Sequence, residues 1–334
     1  MPPLKRALLP LALALALAAP AAAHARPFLP PPGKAFAGVT GGFDPSGFGR
    51  EVSSHPSVFQ FFGYWGQDPT RLLRTAAAFR ARPMISLPTS VGTREVITPG
   101  GIAAGKGDGY LVSLNRALAA SGQIAYVRLM AEMDAYWNAY CAFDRSGRSR
   151  GAAHSTRAFR RAWRRVVLIV RGGSVRNIDA RLAGLRMPPV RTAAATLPAA
   201  RVAFLWVPQV AGAPDTHANS PAAYWPGAHY VDWVGTDFYS KFPNWSGLER
   251  FYGAFRGRPF AFGEWAMWGA DDPLFVRRLF AWARAHGRVR MLVYNQANRP
   301  DGPFRLVHYP RSRVAIRRAL ASRRFARFAP ELRP

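Results

Sequence analysis

Residues 231–265 read VDWVGTDFYSKFPNWSGLERFYGAFRGRPFAFGEW. This stretch begins with a run of β-branched, aromatic and aliphatic residues (231–239). It continues with a helical pattern (247–255) and ends with a second strand-like run (259–265). Gly, Pro and polar residues separate the three segments, as they commonly separate strands from helices. The stretch therefore predicts a strand–helix–strand unit, the building block of parallel α/β folds.

The same unit recurs along the chain in both directions. Eight strand-like runs occur in all, and most are followed by a helical pattern. Such an alternation favours an α/β fold of the (β/α)8 TIM-barrel type, with an open doubly wound sheet as the alternative. Asp68 and Asp272 each precede a Pro, which predicts an N-cap followed by the first helical residue. The predicted strands are 36–40, 58–65, 83–87, 125–133, 202–208, 231–239, 259–265 and 289–295, and the clearest helices are 69–80, 110–120, 156–171, 247–255, 273–286 and 311–323.

The N-terminal residues 1–25 have the pattern of a cleaved signal peptide. Basic residues precede an apolar run at 7–19, and Ala23-His24-Ala25 supplies the small residues that signal peptidase recognises. The apolar run is shorter than the roughly 20 residues of a membrane-spanning helix. We therefore expect a secreted protein whose mature chain starts near Arg26.

The rest of the chain divides by composition into three parts. Residues 26–33 are proline-dense and predict an extended linker. Residues 34–328 have the length of a single catalytic barrel, and residues 329–334 form a short tail. We expect a monomer.

The formal net charge is +28, from 46 basic and 18 acidic residues. The basic residues are nearly all arginine and are scattered over many segments, which together with export argues against nucleic acid as a partner. A solvated basic surface accounts for the charge, with acidic cell-wall polymers as possible partners. The single cysteine, Cys141, excludes an intramolecular disulfide, and we expect it to be a buried thiol.

No motif for a cofactor or a metal is found. No G-x-G-x-x-G follows a predicted strand, so a dinucleotide cofactor is not expected. His55, His217 and His229 have irregular spacing and belong to no H-E-x-x-H arrangement. We therefore expect no catalytic metal and no cofactor.

Two glutamates stand at the ends of predicted strands, where TIM barrels carry their catalytic residues. The fourth strand reads AYVRLMAEM, and a period of two places Arg128, Met130 and Glu132 on one face. The seventh reads PFAFGEW, and the same rule places Phe260, Phe262 and Glu264 on one face. One carboxylic acid and one carboxylate suffice to hydrolyse a glycosidic bond. The pair therefore predicts a glycoside hydrolase.

Further polar and aromatic candidates surround this pair. Asp237 shares a strand face with Tyr239, Asp232 is interpreted as structural, and Asp134 follows Glu132 closely. Flat aromatic side chains in a cleft suit the apolar faces of sugar rings, although any one of them can instead be a core residue. The aromatic residues after strands are Trp65, Tyr136, Trp137, Tyr239, Trp265, Trp268 and Tyr294.

From residue 102 to about 298 the chain resembles glycoside hydrolase family 26, best known for endo-β-1,4-mannanases. The family belongs to a clan of barrels with catalytic glutamates on strands four and seven. The segments that carry the resemblance are VRLMAEM (127–133), AFRRAWRRVV (158–167), FLWVPQ (204–209), YWPGAHYVDWVGTDFY (224–239) and RPFAFGEWA (258–266).

The resemblance implies a role for each matching residue. Glu132 corresponds to the acid/base, Glu264 to the nucleophile, and Tyr239 to the tyrosine that supports the nucleophile. It also implies retention of anomeric configuration through a covalent glycosyl-enzyme. Arg128 either keeps a neighbouring carboxylate ionised or forms a buried ion pair that holds the barrel.

The chain departs from the family pattern at several positions. Ala131 stands where the family has His, and Asp134 where it has Asn. Strand eight has Tyr294-Asn295 where a Trp is common, and strand three ends in ISLPT (85–89) in place of a Trp-Glu-Pro type of sequence. Two functions therefore stay open. The first is a retaining endo-β-glycanase, acting on β-mannan before mixed-linkage β-glucan or β-xylan, and the second is a barrel that binds polysaccharide or cell wall without hydrolysis.

Overall fold

Eight parallel strands close into a barrel, which confirms the predicted (β/α)8 fold. The computed structural model describes residues 28–41, 45–297, 299 and 301–334, so the predicted signal peptide lies outside the described residues. Gly38 pairs with Val58 on one side and with Val293 on the other, which joins the first strand to the eighth. The strands are β1 (Ala35–Thr40), β2 (Val58–Phe62), β3 (Arg82–Leu87), β4 (Ala125–Leu129), β5 (Val202–Trp206), β6 (Trp233–Tyr239), β7 (Phe260–Ala266) and β8 (Val289–Asn295).

Helices surround the barrel, and the six predicted ones are present within a few residues of their expected bounds. In the described parts of the chain no helix is long and apolar enough to cross a membrane. The helices are α1 (Pro45–Val52), α2 (Thr70–Ala78), α3 (Pro99–Ala103), α4 (Asp108–Ser121), α5 (Thr156–Arg171), α6 (Val175–Gly184), α7 (Trp245–Ala254), α8 (Pro273–Ala285) and α9 (Pro310–Leu320).

The two predicted aspartate caps differ in detail. Asp272 caps α8 as expected, since its Oδ1 accepts hydrogen bonds from the backbone N–H groups of Leu274 and Phe275 at 2.9 and 3.0 Å. Asp68 lies one residue further out than predicted, because α2 begins at Thr70. Its carboxylate instead accepts from the backbone N–H and the hydroxyl of Thr70, which also lowers the pKa of Asp68.

Apolar side chains fill two concentric layers, as the alternation of a barrel strand requires. The outer layer lies between the strands and the helices, and it includes the long apolar face of α5. The inner layer lies inside the barrel and includes Phe36, Met84, Leu205 and Met291. The barrel is therefore a packed core and not a pore.

The two ends of the described chain close the N-terminal mouth of the barrel. Phe28 and Leu29 pack against the inner layer, and the Phe28 carbonyl accepts a 2.7 Å hydrogen bond from the Tyr126 hydroxyl. Arg290 donates to the carbonyls of Pro30 and Pro31. The description of residues 26–33 as a linker is therefore wrong from residue 28 onward.

The predicted tail contributes an ion pair to the same closure. Glu331 accepts from Nε and Nη2 of Arg82 at 2.7 and 3.0 Å, and Arg82 is 2% exposed. Burial acts to raise the pKa of Glu331, but the hydrogen bonds and charge of Arg82 outweigh it and lower the pKa. The tail therefore belongs to the folded barrel.

We expect Glu331→Ala to lower the free energy of unfolding at pH 7 by about 1–2 kcal/mol, because it leaves a buried guanidinium unpaired. This value allows for solvent screening at a carboxylate whose side chain is 33% exposed. Since folding lowers the pKa of Glu331, its contribution is present above the unfolded value of about 4.3 and is lost as the pH falls through the lower folded value. Urea titrations between pH 7 and 3 should show the two proteins converging, whereas Asp301→Ala, at an exposed pair, should match the wild type throughout.

Candidate active site

Polar side chains from five strands meet at the C-terminal mouth of the barrel. Each lies towards the C-terminal end of its strand or just beyond it, where the inward direction of the side chain is set by the strand's alternation. Hydrogen bonds join six of these residues into one network, so Arg128 on strand four and Glu264 on strand seven do converge. The network consists of Gln60 (β2), Arg128 (β4), Asp237 and Tyr239 (β6), Glu264 (β7) and Asn295 (β8), and Glu132 lies close to it in the turn after β4.

Glu264 is held by four hydrogen-bond donors. Its Oε1 accepts from Gln60 Nε2 at 3.0 Å and from Arg128 Nη1 at 2.5 Å. Its Oε2 accepts from the Tyr239 hydroxyl at 2.6 Å and from Asn295 Nδ2 at 2.8 Å. The residue is 6% exposed. An ionised carboxylate accepts about four hydrogen bonds and donates none, so this environment suits the charged form and fixes its orientation.

Arg128 bridges two acidic residues inside the barrel mouth. One guanidinium nitrogen donates to Glu264 and another to Asp237 Oδ2, and the residue is 3% exposed. Burial opposes its charge, but the Asp237 and Glu264 carboxylates outweigh burial and raise the pKa of Arg128. The two roles predicted for Arg128 are therefore compatible. The same guanidinium neutralises charge at Glu264 and links β4 to β6 and β7.

Asp237 carries the clearest change in acidity at the site. Burial, followed by the neighbouring charges of Glu264 and Glu132, raises the pKa of Asp237 well above its usual range despite the opposing effect of Arg128. Acidic groups whose charges disfavour one another in this way favour a state in which one of them holds a proton.

Glu132 lies in the turn that follows β4 and not in the strand itself. β4 ends at Leu129, and both Met130 and Glu132 have positive φ angles, +41° and +52°. Such angles are uncommon outside glycine and cluster at functional sites. Glu132 Oε1 accepts a hydrogen bond from Gln209 Nε2 at 2.7 Å, and Glu132 Oε2 accepts one from Trp137 Nε1 at 2.8 Å.

The predicted strand faces are wrong at two places, because of this turn after β4 and a β-bulge in β7. Met130 packs in the outer layer and does not share the inward face of Arg128. The register between β6 and β7 shifts at Gly263, so Ala261 faces the barrel interior while Phe262 packs outward in the helix-side layer. The extra residue turns Glu264 inward again.

Gly263 is required by the crowding at this bulge. A Cβ atom there would lie 3.0 Å from Arg128 Nε, 3.0 Å from Val207 Cγ1 and 3.1 Å from Asp237 Oδ1. None of these atoms belongs to a side chain that can move freely, because Arg128 and Asp237 are tied to each other.

We expect Gly263→Ala to lower the free energy of unfolding by about 1–3 kcal/mol through overpacking. Thermal or urea unfolding measures this loss. Gly253→Ala on α7 is the matched control, since a Cβ there meets no atom within 4 Å. Equal stability of the two variants would contradict the crowding at Gly263.

The predicted aromatic residues divide into two groups. Trp137 is 53% exposed beside Glu132, and Trp268 is half-buried with its ring centroid 5.7 Å from that of Tyr239. Trp137 therefore adjoins Glu132 and Trp268 adjoins Tyr239, and both have ring surface for a sugar. Tyr136 packs edge-on against Trp137.

The other three predicted rings are packing residues. Trp265 and Tyr294 are 2% and 1% exposed and contact each other in the helix-side layer, so neither offers a face to a sugar. Trp65 is 8% exposed and packs against Tyr110. The prediction that these rings contact substrate is therefore wrong for Trp265 and Tyr294, whose side chains point away from the mouth because their neighbours Glu264 and Asn295 point inward.

The remaining aspartates are structural in position. Asp134 is fully buried, its Oδ1 accepts from the backbone N–H of Gln209, and burial raises its pKa well above the usual range. Asp232 lies just before β6, at the other end of the barrel, and makes two hydrogen bonds to Arg171. Cys141 is buried, as expected.

Three residues of the site were not predicted from the sequence: Gln60, Gln209 and Asn295. Gln60 could have been recognised, since it is the one polar residue in the apolar run VFQFF (58–62). Asn295 is the inward residue next to Tyr294. Among the described residues no group of three or more His, Cys, Asp or Glu side chains is placed to hold a metal ion.

Solved structures with the same fold were found by comparison, although no protein-family model and no curated protein matches the chain. A family 26 glycoside hydrolase, GH26A from Muricauda sp., is 16% identical with a TM-score of 0.57, over 88% of this chain and 91% of that one. An endo-β-1,4-mannanase double mutant from Cellulomonas fimi is 14% identical with a TM-score of 0.59, over 88% and 72%. A family 26 β-mannanase from Bacteroides ovatus is 13% identical with a TM-score of 0.56, over 88% and 90%. The chain therefore has the barrel fold of family 26 structures.

Proposed function

We propose that this chain is a secreted retaining endo-β-glycanase with β-mannan as its first candidate substrate. The observation that carries the proposal is the buried Glu264 carboxylate, oriented by four donors, with Glu132 in the turn after β4. Double displacement requires two carboxyl groups that flank the scissile bond, one as nucleophile and one as acid/base. The likeness to mannanase structures supports the choice of substrate.

In the first step Glu264 attacks the anomeric carbon and forms a glycosyl ester. The bond to the departing sugar oxygen breaks, and Glu132 gives that oxygen its proton. In the second step Glu132 removes a proton from water, the water oxygen attacks the same carbon, and Glu264 leaves as a carboxylate. Each Glu264 oxygen already accepts two hydrogen bonds, so one of the four must be released when the ester forms.

The proton for the first step has a source in the network. The raised pKa of Asp237 keeps a proton in the barrel mouth at a pH where an isolated carboxyl would lose it. Arg128 neutralises part of the charge on Glu264, which limits repulsion between the two glutamates before attack. Tyr239 and Asn295 hold the nucleophile at its other oxygen.

Incubation of the purified protein with β-mannan, mixed-linkage β-glucan and β-xylan tests the proposal directly. We expect new reducing ends from β-mannan, a rapid fall in polymer length, and a first product that retains the β configuration by NMR. An α product at the earliest times would contradict retention. Absence of product from all three polymers at high protein concentration would contradict hydrolysis.

A polysaccharide-binding barrel without hydrolysis is the second candidate. It is favoured by Ala131, which places a methyl group before Glu132 and leaves that position without a polar contact to a sugar. The basic surface adds acidic cell-wall polymers as candidate partners. Retention of the protein by a polysaccharide in a pull-down, with no product from that same polymer, would support this candidate over the first.

A further inference from the structure

Just after the end of β6, a lysine lies over two aromatic rings at the mouth of the barrel. Lys241 follows β6, and its Nζ lies 5.6 Å from the ring centroid of Phe242 and 5.2 Å from that of Trp268. The two rings meet edge to face at 5.5 Å and 89°. Phe242 is 66% exposed, which is unusual for so large an apolar side chain. We call these three residues the Lys241 ledge.

The ledge is anchored to the catalytic network by Trp268. The Trp268 ring packs against Tyr239, whose hydroxyl donates to Glu264. The Trp268 backbone N–H donates to Ser240 Oγ at 2.8 Å, and its ring also contacts Phe304 at 5.3 Å. The ledge is therefore held one aromatic ring away from the nucleophile, within reach of a sugar unit next to the one attacked.

The charges at the mouth are unevenly distributed. Three acidic groups surround the guanidinium of Arg128: Glu132, Asp237 and Glu264. The positive charge of Arg128 is already paired with Asp237 and Glu264. Within the described part of the chain Lys241 makes no ion pair, and its ammonium group lies over the two rings. A negatively charged sugar is therefore disfavoured at the point of cleavage but favoured at the ledge.

We propose that the Lys241 ledge is a subsite for an acidic sugar unit, a uronic acid or a hexose with an acidic substituent, adjoining the unit that Glu264 attacks. The apolar face of the sugar packs on Phe242, and its carboxylate pairs with the Lys241 ammonium. The inference rests on the proposed glycanase function and makes its substrate an anionic β-glycan and not a fully neutral one.

The test compares β-mannan with the same polymer after partial oxidation of its C6 hydroxymethyl groups to carboxylates. For the wild type we expect kcat/KM to favour the oxidised polymer. Lys241→Met should lower the ratio of oxidised to parent kcat/KM by about fivefold, the effect of one partly exposed ion pair. Lys241→Arg should keep the ratio, and 0.5 M NaCl should shrink the wild-type preference.

Arg277→Met is the matched control, because it removes one exposed positive charge from α8 on the flank of the barrel. It should leave the ratio unchanged, which separates the ledge from the general attraction of a basic protein for a polyanion. An equal fall in the ratio for Lys241→Met and Arg277→Met would overturn the ledge proposal. So would a wild type that prefers the parent polymer.

Affinity electrophoresis in gels containing either polymer tests the ledge without hydrolysis. The oxidised polymer should retard Arg277→Met more than Lys241→Met, although both variants have the same net charge. This result together with absence of product would contradict the proposed glycanase function but support the ledge. Product formation with equal retardation of the two variants would contradict the ledge and leave the glycanase function standing.

Discussion

Glu264→Ala will abolish the release of reducing ends, with a loss of about ten-thousandfold or more, as expected when a nucleophile that acts in a concerted group is removed. The methyl group cannot form the glycosyl ester, and Gln60, Arg128, Tyr239 and Asn295 lose the acceptor that they surround. Reducing-end assays on β-mannan and turnover of an aryl β-mannoside measure the loss.

Azide should restore turnover of the aryl glycoside by this variant. The anion fits the space left by the carboxylate, attacks the anomeric carbon from that side and displaces the phenolate, which gives an α-glycosyl azide. Glu132→Ala provides the comparison, because its glycosyl-enzyme still forms with a good leaving group and azide then attacks from the other side to give a β-glycosyl azide. Unchanged activity of Glu264→Ala would remove the nucleophile assignment. Azide products of one configuration from both variants would remove the division of roles.

The barrel itself could be predicted because the residues that bound each strand are close to it in the sequence. Each of the eight strands is a run of β-branched, aromatic and aliphatic residues bounded by Gly, Pro or polar residues, and each lies within a few residues of its predicted place. Strand ends were less predictable. The predicted strand 125–133 stops at Leu129, because Met130 and Glu132 adopt positive φ angles that no apolar pattern signals.

The two glutamates of the site could be predicted from the sequence. Which of the neighbouring strand residues point into the barrel could not. A period of two holds only while no residue is inserted, and the bulge at Gly263 breaks it. The same alternation decides which aromatic side chains point away from the barrel mouth. Trp265 and Tyr294 lie next to inward polar residues and therefore point outward, whereas Trp137 and Trp268 lie in loops where no alternation applies.

The donors around Glu264 could be recognised only in three dimensions. Gln60 and Asn295 lie on strands two and eight, far apart in sequence, and barrel closure brings both to the same carboxylate. Their residue types are ordinary ones for strand ends, and the hydrogen bonds depend on register. The position of Gln60 in an apolar strand was the one local signal.

Arg128→Met is expected to be the most destabilising substitution at the site. It removes the cation that contacts both Asp237 and Glu264, and breaking a buried ion pair by deleting one partner costs about 3–5 kcal/mol. Methionine fills much of the space of the arginine side chain, so the loss arises from uncompensated charge more than from a cavity. Urea unfolding at pH 7 measures it.

The pH dependence identifies the cause. Asp237 already has a raised pKa in the folded protein, and loss of the cation raises it further. Both folded proteins keep this proton after the unfolded chain has released it, above about pH 3.9, so the comparison changes only at higher pH. As the pH rises through the folded pKa of Asp237 in the wild type, the wild type releases the proton and the variant keeps it, so the stability of the variant relative to wild type falls. Arg128→Met/Asp237→Asn should recover part of the loss at pH 7 and flatten this trend, because the neutral amide needs no counter-charge. A deficit that is the same at every pH at which both proteins fold, and is unaffected by Asp237→Asn, would mean that Arg128 stabilises the barrel through packing alone.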